Sequence, residues 1–161
     1  MGYDLGPDAL GGDLVCRFFW QFSVFECALK REGFLHEGFH GEAQADWAAF
    51  ADSIVGRFGS VRWLAFEGAL ELLESQPPRH QVVNNGRLAW EGTLPGNGES
   101  RERFVLRLVR VVRNNLFHGG KYPDGPIPQV ERDSNLISAA LEVLRVCYEL
   151  HPHIARWRDA A

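Results

Sequence analysis

Apolar residues recur every three or four positions along most of this chain, and that spacing predicts amphipathic helices. The pattern covers five segments, at residues 13–31, 42–58, 61–74, 101–118 and about 133–150. Helix stop signals follow them, such as Gly33 after the first segment and Pro77-Pro78 after the third. No glycine-rich loop joins a strand pattern to a helix, so we expect an all-α bundle of about five helices in a single domain spanning residues 1–161.

Residues 76–100 interrupt the helical pattern with prolines, glycines and the turn sequence Asn84-Asn85-Gly86. Short apolar runs at 81–83 and 88–90 flank that turn, and Asn-Gly tolerates the positive φ that a tight hairpin needs. The segment is therefore a long loop or a small hairpin inserted in the bundle. An insert of this length is functional in some domains and disordered in others, and the sequence leaves both readings open.

The composition is that of a globular protein, with 45% hydrophobic and 24% charged residues in a chain of 161. Cys16, Cys27 and Cys147 fall within apolar helical patterns and form no CxxC, which indicates core thiols in a reducing compartment. Residues 1–13 lack the basic and apolar regions of a signal peptide, and no segment approaches the roughly 20 apolar residues of a membrane span. We therefore expect a cytoplasmic protein with no membrane partner.

Charge is distributed unevenly along the chain, whose formal net charge is −4. Residues 99–121 carry six basic side chains against two acidic ones, whereas residues 1–40 carry three basic against six acidic. On the fourth predicted helix Arg103, Arg107 and Arg110 line up opposite the apolar face. A polyanion would be attracted to this element and repelled by the rest. This favours Arg107, Arg110 and Lys121 as contacts to a phosphate backbone.

The fourth predicted helix ends in the sequence RNNLFHGG at residues 113–120. The guanidinium of Arg113 can bind a phosphate through its planar fork, and the imidazole of His118 can move a proton near neutral pH. Asn114 lies four residues before His118, on the same helix face, and can orient its ring. A metal-free phosphoryl-transfer site requires groups of this kind.

The same residues also fit an ordinary helix end. Arg113 would then be solvated, the asparagines would break the helix, and His118 would be a favourable cation beside the last helix carbonyls. Asn115 argues against so simple a role, because its amide projects onto the apolar arc and costs about 1–3 kcal/mol there unless it is hydrogen-bonded. Two adjacent asparagines are also poor helix formers, and such a departure from local rules is typical of a functional site.

The stretch from Arg113 to His118 resembles the signature of HEPN domains, an Arg, usually a polar residue, and then a His near the end of a helix in an all-α bundle. The resemblance covers the bundle in architecture, from about residue 13 to 150. It implies a metal-independent endoribonuclease of a toxin or phage-defence system that leaves 2′,3′-cyclic phosphate and 5′-hydroxyl ends. Arg113, Asn114 and His118 would be the catalytic residues, and a homodimer would bring two motifs into one cleft.

The resemblance implies RNA, a second copy of the chain and an antitoxin or regulatory protein as partners, and it implies no cofactor. In the nucleotidyltransferase-controlled branch of the family a modified Tyr follows the motif His after one residue. That position is Gly120 here and the nearest Tyr is Tyr122, so we do not expect this form of regulation. The alternative class is a non-catalytic HEPN-like bundle that binds RNA, a nucleotide or a protein partner.

Two further sequence patterns can be interpreted either as ordinary structural features or as functional sites. His36-Glu37-Gly38-Phe39-His40 matches the HExxH of zinc hydrolases, but glycines surround it and no third ligand follows at a recognisable spacing, so we expect a solvated loop and no metal site.

Glu26 is the second case, because it lies four residues before Lys30, the spacing of a surface ion pair. Some HEPN-like bundles bring a polar residue from an earlier helix to the motif. The resemblance therefore also implies Glu26 as a residue that could orient His118.

Overall fold

The computed structural model describes residues 12–117 and 130–160, and most of them are helical. The α-helices are α1 Gly12–Arg31, α2 Trp47–Ser53, α3 Leu64–Ser75, α4 Arg101–Phe117, α5 Val130–Leu150 and α6 Pro152–Ala155. Short 3-10 turns lie at Phe58–Ser60 and Arg158–Ala160. Four strands form two antiparallel hairpins, β1 Leu35–Glu37 with β2 Ala43–Ala45, and β3 His80–Asn84 with β4 Arg87–Glu91.

Helix α5 is the centre of the helical packing and contacts α1, α3, α4 and α6. Its buried Ile137, Leu144 and Cys147 follow the spacing of a helix face that is turned to the core. Tyr148 adds an edge-to-face contact with Phe25 of α1, whose ring centroid lies 5.1 Å away. Burial of each such large side chain contributes about 1.5–3 kcal/mol, so the packing of α5 contributes substantially to the stability of the fold.

The first hairpin replaces the start of the second predicted helix, so the expectation of a helix over 42–58 is wrong at both ends. Residues 43–45 pair with β1, and α2 begins only after Asp46, whose side chain accepts a hydrogen bond from Ala49 N at 2.9 Å. Helix α2 ends at Ser53, and the chain then turns at Gly56 with a φ of 80°. The aspartate cap and the glycine turn outweigh the apolar spacing that suggested one continuous helix.

The second hairpin confirms the small hairpin expected within residues 76–100. His80 pairs with Glu91 at its open end, and Asn84 pairs with Arg87 beside the turn. The turn residues Asn85 and Gly86 have φ values of 50° and 73°. Positive φ at both positions is the geometry that Asn-Gly favours in a two-residue turn.

The remaining helix boundaries lie close to those expected. Helix α4 begins at Arg101, and Ser100 Oγ accepts a hydrogen bond from Arg103 N at 3.2 Å, which confirms the expected cap. Helix α3 begins at Leu64 instead of residue 61, and α5 begins at Val130 instead of about 133. In the described ranges, no helix has both the length and the apolar character needed to cross a membrane.

Candidate functional site

The arginines in the first half of α4 form ion pairs that connect this helix to other parts of the fold. The pairs are Arg101 with Glu74 of α3, Arg103 with Asp52 of α2, and Arg107 with Glu99 in the segment before α4. Each guanidinium donates through two nitrogens to both oxygens of its carboxylate, the geometry that gives the strongest such pairs. Hydrogen bonds from Arg103 lower the pKa of Asp52. These positive charges are therefore neutralised within the protein.

Arg107 was expected to contact a phosphate backbone, and its surroundings weigh against that role. Its Nε and Nη2 donate to Glu99 at 2.9 and 2.6 Å, and Nη2 also donates to Leu94 O at 2.8 Å. The hydrogen bonds from Arg107 lower the pKa of Glu99, because they stabilise the carboxylate form. Arg107 holds the segment before α4 against the helix, and its contact with a phosphate backbone stays a prediction.

Arg110 and Arg113, in the second half of α4, are arranged differently. Arg110 is exposed, and neither arginine pairs with a carboxylate among residues 12–117 and 130–160. Arg113 Nη1 instead donates to Asn114 Oδ1 at 3.0 Å. An amide oxygen orients a guanidinium without cancelling its charge, so among the described residues the uncompensated positive charge of α4 lies in its C-terminal half.

Aromatic rings hold the Arg113 guanidinium in place. Its central carbon lies 4.8 Å from the ring centroid of Phe117 and 5.7 Å from that of Phe22 on α1. Phe22 is buried, and Phe117 in turn contacts the ring of Phe19 at 6.0 Å. Cation–π contacts of this kind contribute about 0.5–2 kcal/mol each. They restrict the side chain before a ligand binds, which reduces the entropy lost on binding.

Asn115 has the hydrogen bond that its position on the apolar arc requires. Its Nδ2 donates to the carbonyl oxygen of Arg79 at 2.7 Å, which offsets the cost of placing an amide there. This bond ties the end of α4 to the residue immediately before β3. The second hairpin is therefore anchored beside Arg113 and Asn114.

A cleft of about 260 Å³ lies at this junction and is lined by His80, Gln81, Val111, Asn114 and Asn115. Nδ1 of His80 is 3.1 Å from Thr93 Oγ1, and Thr93 Oγ1 donates to the carbonyl oxygen of Pro78 at 2.7 Å. Neither His80 nor Thr93 was expected from the sequence to belong to a site. No spacing rule connects them to α4, because the hairpin brings them there.

Glu26 is held between α1 and α2. Its Oε1 accepts a hydrogen bond from Trp47 Nε1 at 3.0 Å, where Lys30 was the partner expected from helical spacing. The Trp47 ring stacks on Phe22 at 5.1 Å, so Glu26 and Arg113 are both linked to the same aromatic cluster. Glu26 therefore has a structural partner of its own.

His118 and Lys121 lie outside the described residues, as do Gly120 and Tyr122. The structure brings Arg113, Asn114 and Asn115 together at the end of α4 and leaves the roles of His118 and Lys121 as predictions.

The HExxH sequence does not lie on a helix. His36 is in β1, paired with Gln44, and His40 follows in the loop of the hairpin, so the two imidazoles lack the one-turn spacing of a zinc hydrolase. Over the part of the chain that the structure describes, no three His, Cys, Asp or Glu side chains cluster closely enough to hold a metal ion.

No family model, curated protein or solved structure matches this chain. The resemblance to HEPN domains therefore rests on the motif and on the mostly helical architecture.

Proposed function

We propose that this protein is a metal-independent endoribonuclease of the HEPN type, a cytoplasmic homodimer that serves as a toxin or phage-defence effector. One observation carries the proposal. Arg113, the arginine of the motif, is held by Asn114 and by two aromatic rings and pairs with no carboxylate among the described residues, unlike Arg103 and Arg107 on the same helix. A positioned but uncompensated guanidinium is suited to bind a phosphate.

The mostly helical fold is consistent with this class. Helix α4 carries the motif at its end and packs against α5, α2 and α3. A HEPN-specific arrangement of these helices is part of the proposal.

The chemistry follows from the groups present. Arg113 binds the scissile phosphate and stabilises the charge that grows on its oxygens in the transition state. His118 accepts the proton of the ribose 2′-hydroxyl while the 2′-oxygen bonds to phosphorus and the bond to the 5′-oxygen breaks. A second imidazole protonates the leaving 5′-oxygen. The products are a 2′,3′-cyclic phosphate and a 5′-hydroxyl.

The helical spacing of the motif supports a dimer. His118 lies five positions after Arg113, and at about 100° per residue their Cα positions would be roughly 140° apart around a continuous helix. Two such groups do not act side by side on one helix. A second protomer facing the first would supply an arginine and an imidazole from different chains to one phosphate.

The test is cleavage of end-labelled RNA by the purified protein in EDTA. We expect the wild type to give 2′,3′-cyclic phosphate ends without metal, and His118→Ala to lose about 10²-fold or more in rate. His36→Ala, on the first hairpin, is the control and should cleave like the wild type. Cleavage that EDTA abolishes and metal restores, or cleavage retained by His118→Ala, would contradict the proposal; RNA binding without cleavage would favour the non-catalytic alternative.

A further inference from the structure

The second hairpin brings a histidine to the cleft beside the motif. His80 is the first residue of β3, and the carbonyl of the preceding Arg79 accepts the hydrogen bond from Asn115. His80 and Asn114 then line the same cleft, and Asn114 also holds the guanidinium of Arg113. An imidazole, an amide and an arginine of one protomer are thus connected through contacts between α4 and β3.

The partners of His80 determine which of its nitrogens carries the proton. The carbonyl of Pro78 can only accept, so the Thr93 hydroxyl donates to it. A lone pair of Thr93 Oγ1 then faces Nδ1 of His80 at 3.1 Å, and Nδ1 must be the donor in that bond. In the neutral ring Nε2 is consequently the unprotonated nitrogen.

Nε2 of His80 is available to a ligand. It forms no hydrogen bond within residues 12–117 and 130–160, and it is not among the buried atoms that lack a partner, so it reaches solvent. Thr93 itself is almost fully buried, with 1% exposure, which keeps the relay from Pro78 to His80 away from water. A hydroxyl that fixes the tautomer and orientation of an imidazole is the arrangement that prepares a histidine to accept a proton.

We propose that His80 is a catalytic residue of this site, the general base that accepts the proton of the ribose 2′-hydroxyl, and that Thr93 is its positioning residue. The proposal rests on the ribonuclease function proposed above and deepens it. It assigns the role of base to His80, in the same protomer as Arg113, in place of His118, which then serves as the general acid.

The step balances with these groups. Nε2 of His80 takes the 2′-hydroxyl proton, the 2′-oxygen forms a bond to the phosphorus held by Arg113, and the bond from phosphorus to the 5′-oxygen breaks. The leaving 5′-oxygen takes its proton from the His118 imidazolium. Proton exchange with water then restores both imidazoles for the next turnover.

A purely structural His80 would serve only to hold the hairpin to the loop that carries Thr93. Two variants separate the roles. His80→Asn retains a donor close to the position of Nδ1 for Thr93 but has no nitrogen that can accept a proton. His80→Ala leaves space into which free imidazole can diffuse.

The experiment measures kcat and KM for labelled RNA in EDTA, with melting curves to verify folding. We expect both His80 variants to lose about 10²-fold in kcat with little change in KM, and added imidazole to restore part of the rate of His80→Ala. Thr93→Val should lower kcat about fivefold, since it removes the neutral hydrogen bond that orients His80 together with the one to Pro78, and Thr93→Ser should restore it. His36→Ala is again the control.

The rising limb of the pH–rate profile should disappear in the His80 variants. Among the described residues, Glu91 is the cross-strand partner of His80 and Arg79 immediately precedes it, and Glu91→Gln should leave that limb in place.

The outcomes distinguish the two proposals. If Arg113→Ala is inactive while His80→Asn stays within about twofold of the wild type, His80 is not the base and the ribonuclease function stands. A rate loss in His80→Ala that imidazole does not restore, with His80→Asn fully active, overturns the catalytic role in the same way. If the wild type cleaves no RNA, the ribonuclease function fails and the role of His80 fails with it.

Discussion

The two halves of α4 carry the same residue type in different surroundings. In the first half, Arg101, Arg103 and Arg107 each hold a carboxylate through two nitrogens. In the second half, Arg110 is exposed and Arg113 is held by an amide and by aromatic rings. The first half serves the stability of the fold, and the second half is the proposed ligand site, since only the second keeps uncompensated positive charge among the described residues.

The comparison shows what a count of charges along the sequence leaves out. The excess of basic residues over 99–121 suggested one continuous basic stripe. Carboxylates from α2, α3 and the segment before α4 neutralise its first part. Long-range pairing therefore decides which arginines remain able to attract a polyanion.

The largest expected effect is on cleavage by Arg113→Ala. Removing a hydrogen-bond donor that stabilises the negative charge of the transition state lowers kcat about 10²–10³-fold. Arg113→Lys should restore only part of this kcat, because lysine lacks the planar fork of arginine. The matched control is Arg107→Gln combined with Glu99→Gln, which removes a complete ion pair from the first half. Equal losses in both variants, measured on labelled RNA in EDTA, would show that the two halves do not differ in function.

The next effect is on stability and concerns Glu102, in the first half of α4. Glu102 is 3% exposed, and its Oε1 accepts hydrogen bonds from Gly56 N at 2.9 Å and Phe58 N at 3.3 Å. Glu102→Ala leaves both amides without this partner and should lower the free energy of unfolding by about 3 kcal/mol. Glu102→Gln keeps an acceptor oxygen and should cost about 1 kcal/mol. Urea unfolding measures the free energy of unfolding of both variants. If Glu102→Ala loses less stability than Glu102→Gln, the structural role of Glu102 is contradicted.

The sequence was most informative where the signal is local. Helix α1 and the start of α4 follow from apolar spacing and from the Ser100 cap, and the second hairpin follows from Asn85-Gly86. The first hairpin was missed because its second strand fell within a helical spacing, and Asp46 places the helix start later. Local signals were sufficient for elements whose ends carry their own caps and turns.

The site was predictable only in part for the same reason. Arg113 and Asn114 were singled out because they are adjacent in a recognisable motif, and their catalytic roles stay predictions. The neutralisation of Arg107 by Glu99 and the contact of His80 with Thr93 depend on how the loop and hairpin of residues 76–100 fold back onto their surroundings. No periodicity in the sequence predicts either of these two contacts.

A smaller effect should appear in the salt dependence of RNA binding. Arg110→Ala removes one exposed and uncompensated charge, so it should weaken binding several-fold and reduce the slope of log affinity against log salt by about 0.7. The control removes Arg103 together with Asp52, a neutral pair, and should leave the slope unchanged. Fluorescence anisotropy with a labelled single-stranded RNA at several salt concentrations measures both. A change in slope with the control alone would reverse the comparison between the two halves.

The smallest effect is the pH dependence of one ion pair in the first half. Arg107 lowers the pKa of Glu99 below its usual value of 4.5 in the folded protein, so the folded state binds this proton less readily than the unfolded state. The stability from the pair is therefore complete above about pH 4.5 and is lost as the pH falls through the lowered pKa. Because Arg107 is partly exposed, we expect Glu99→Gln to cost only about 0.5 kcal/mol at pH 7.

Acidification should remove that difference, because protonated Glu99 and glutamine are both neutral. Melting temperatures of the wild type and Glu99→Gln should thus differ at pH 7 and converge near pH 3. Glu71→Gln is the control, since Glu71 is an exposed carboxylate of α3 with no ion pair among the described residues. A difference that persisted at pH 3 would mean that Glu99 stabilises the fold by its shape and not by its charge. The first half of α4 would then owe less to neutralised arginines than its ion pairs indicate.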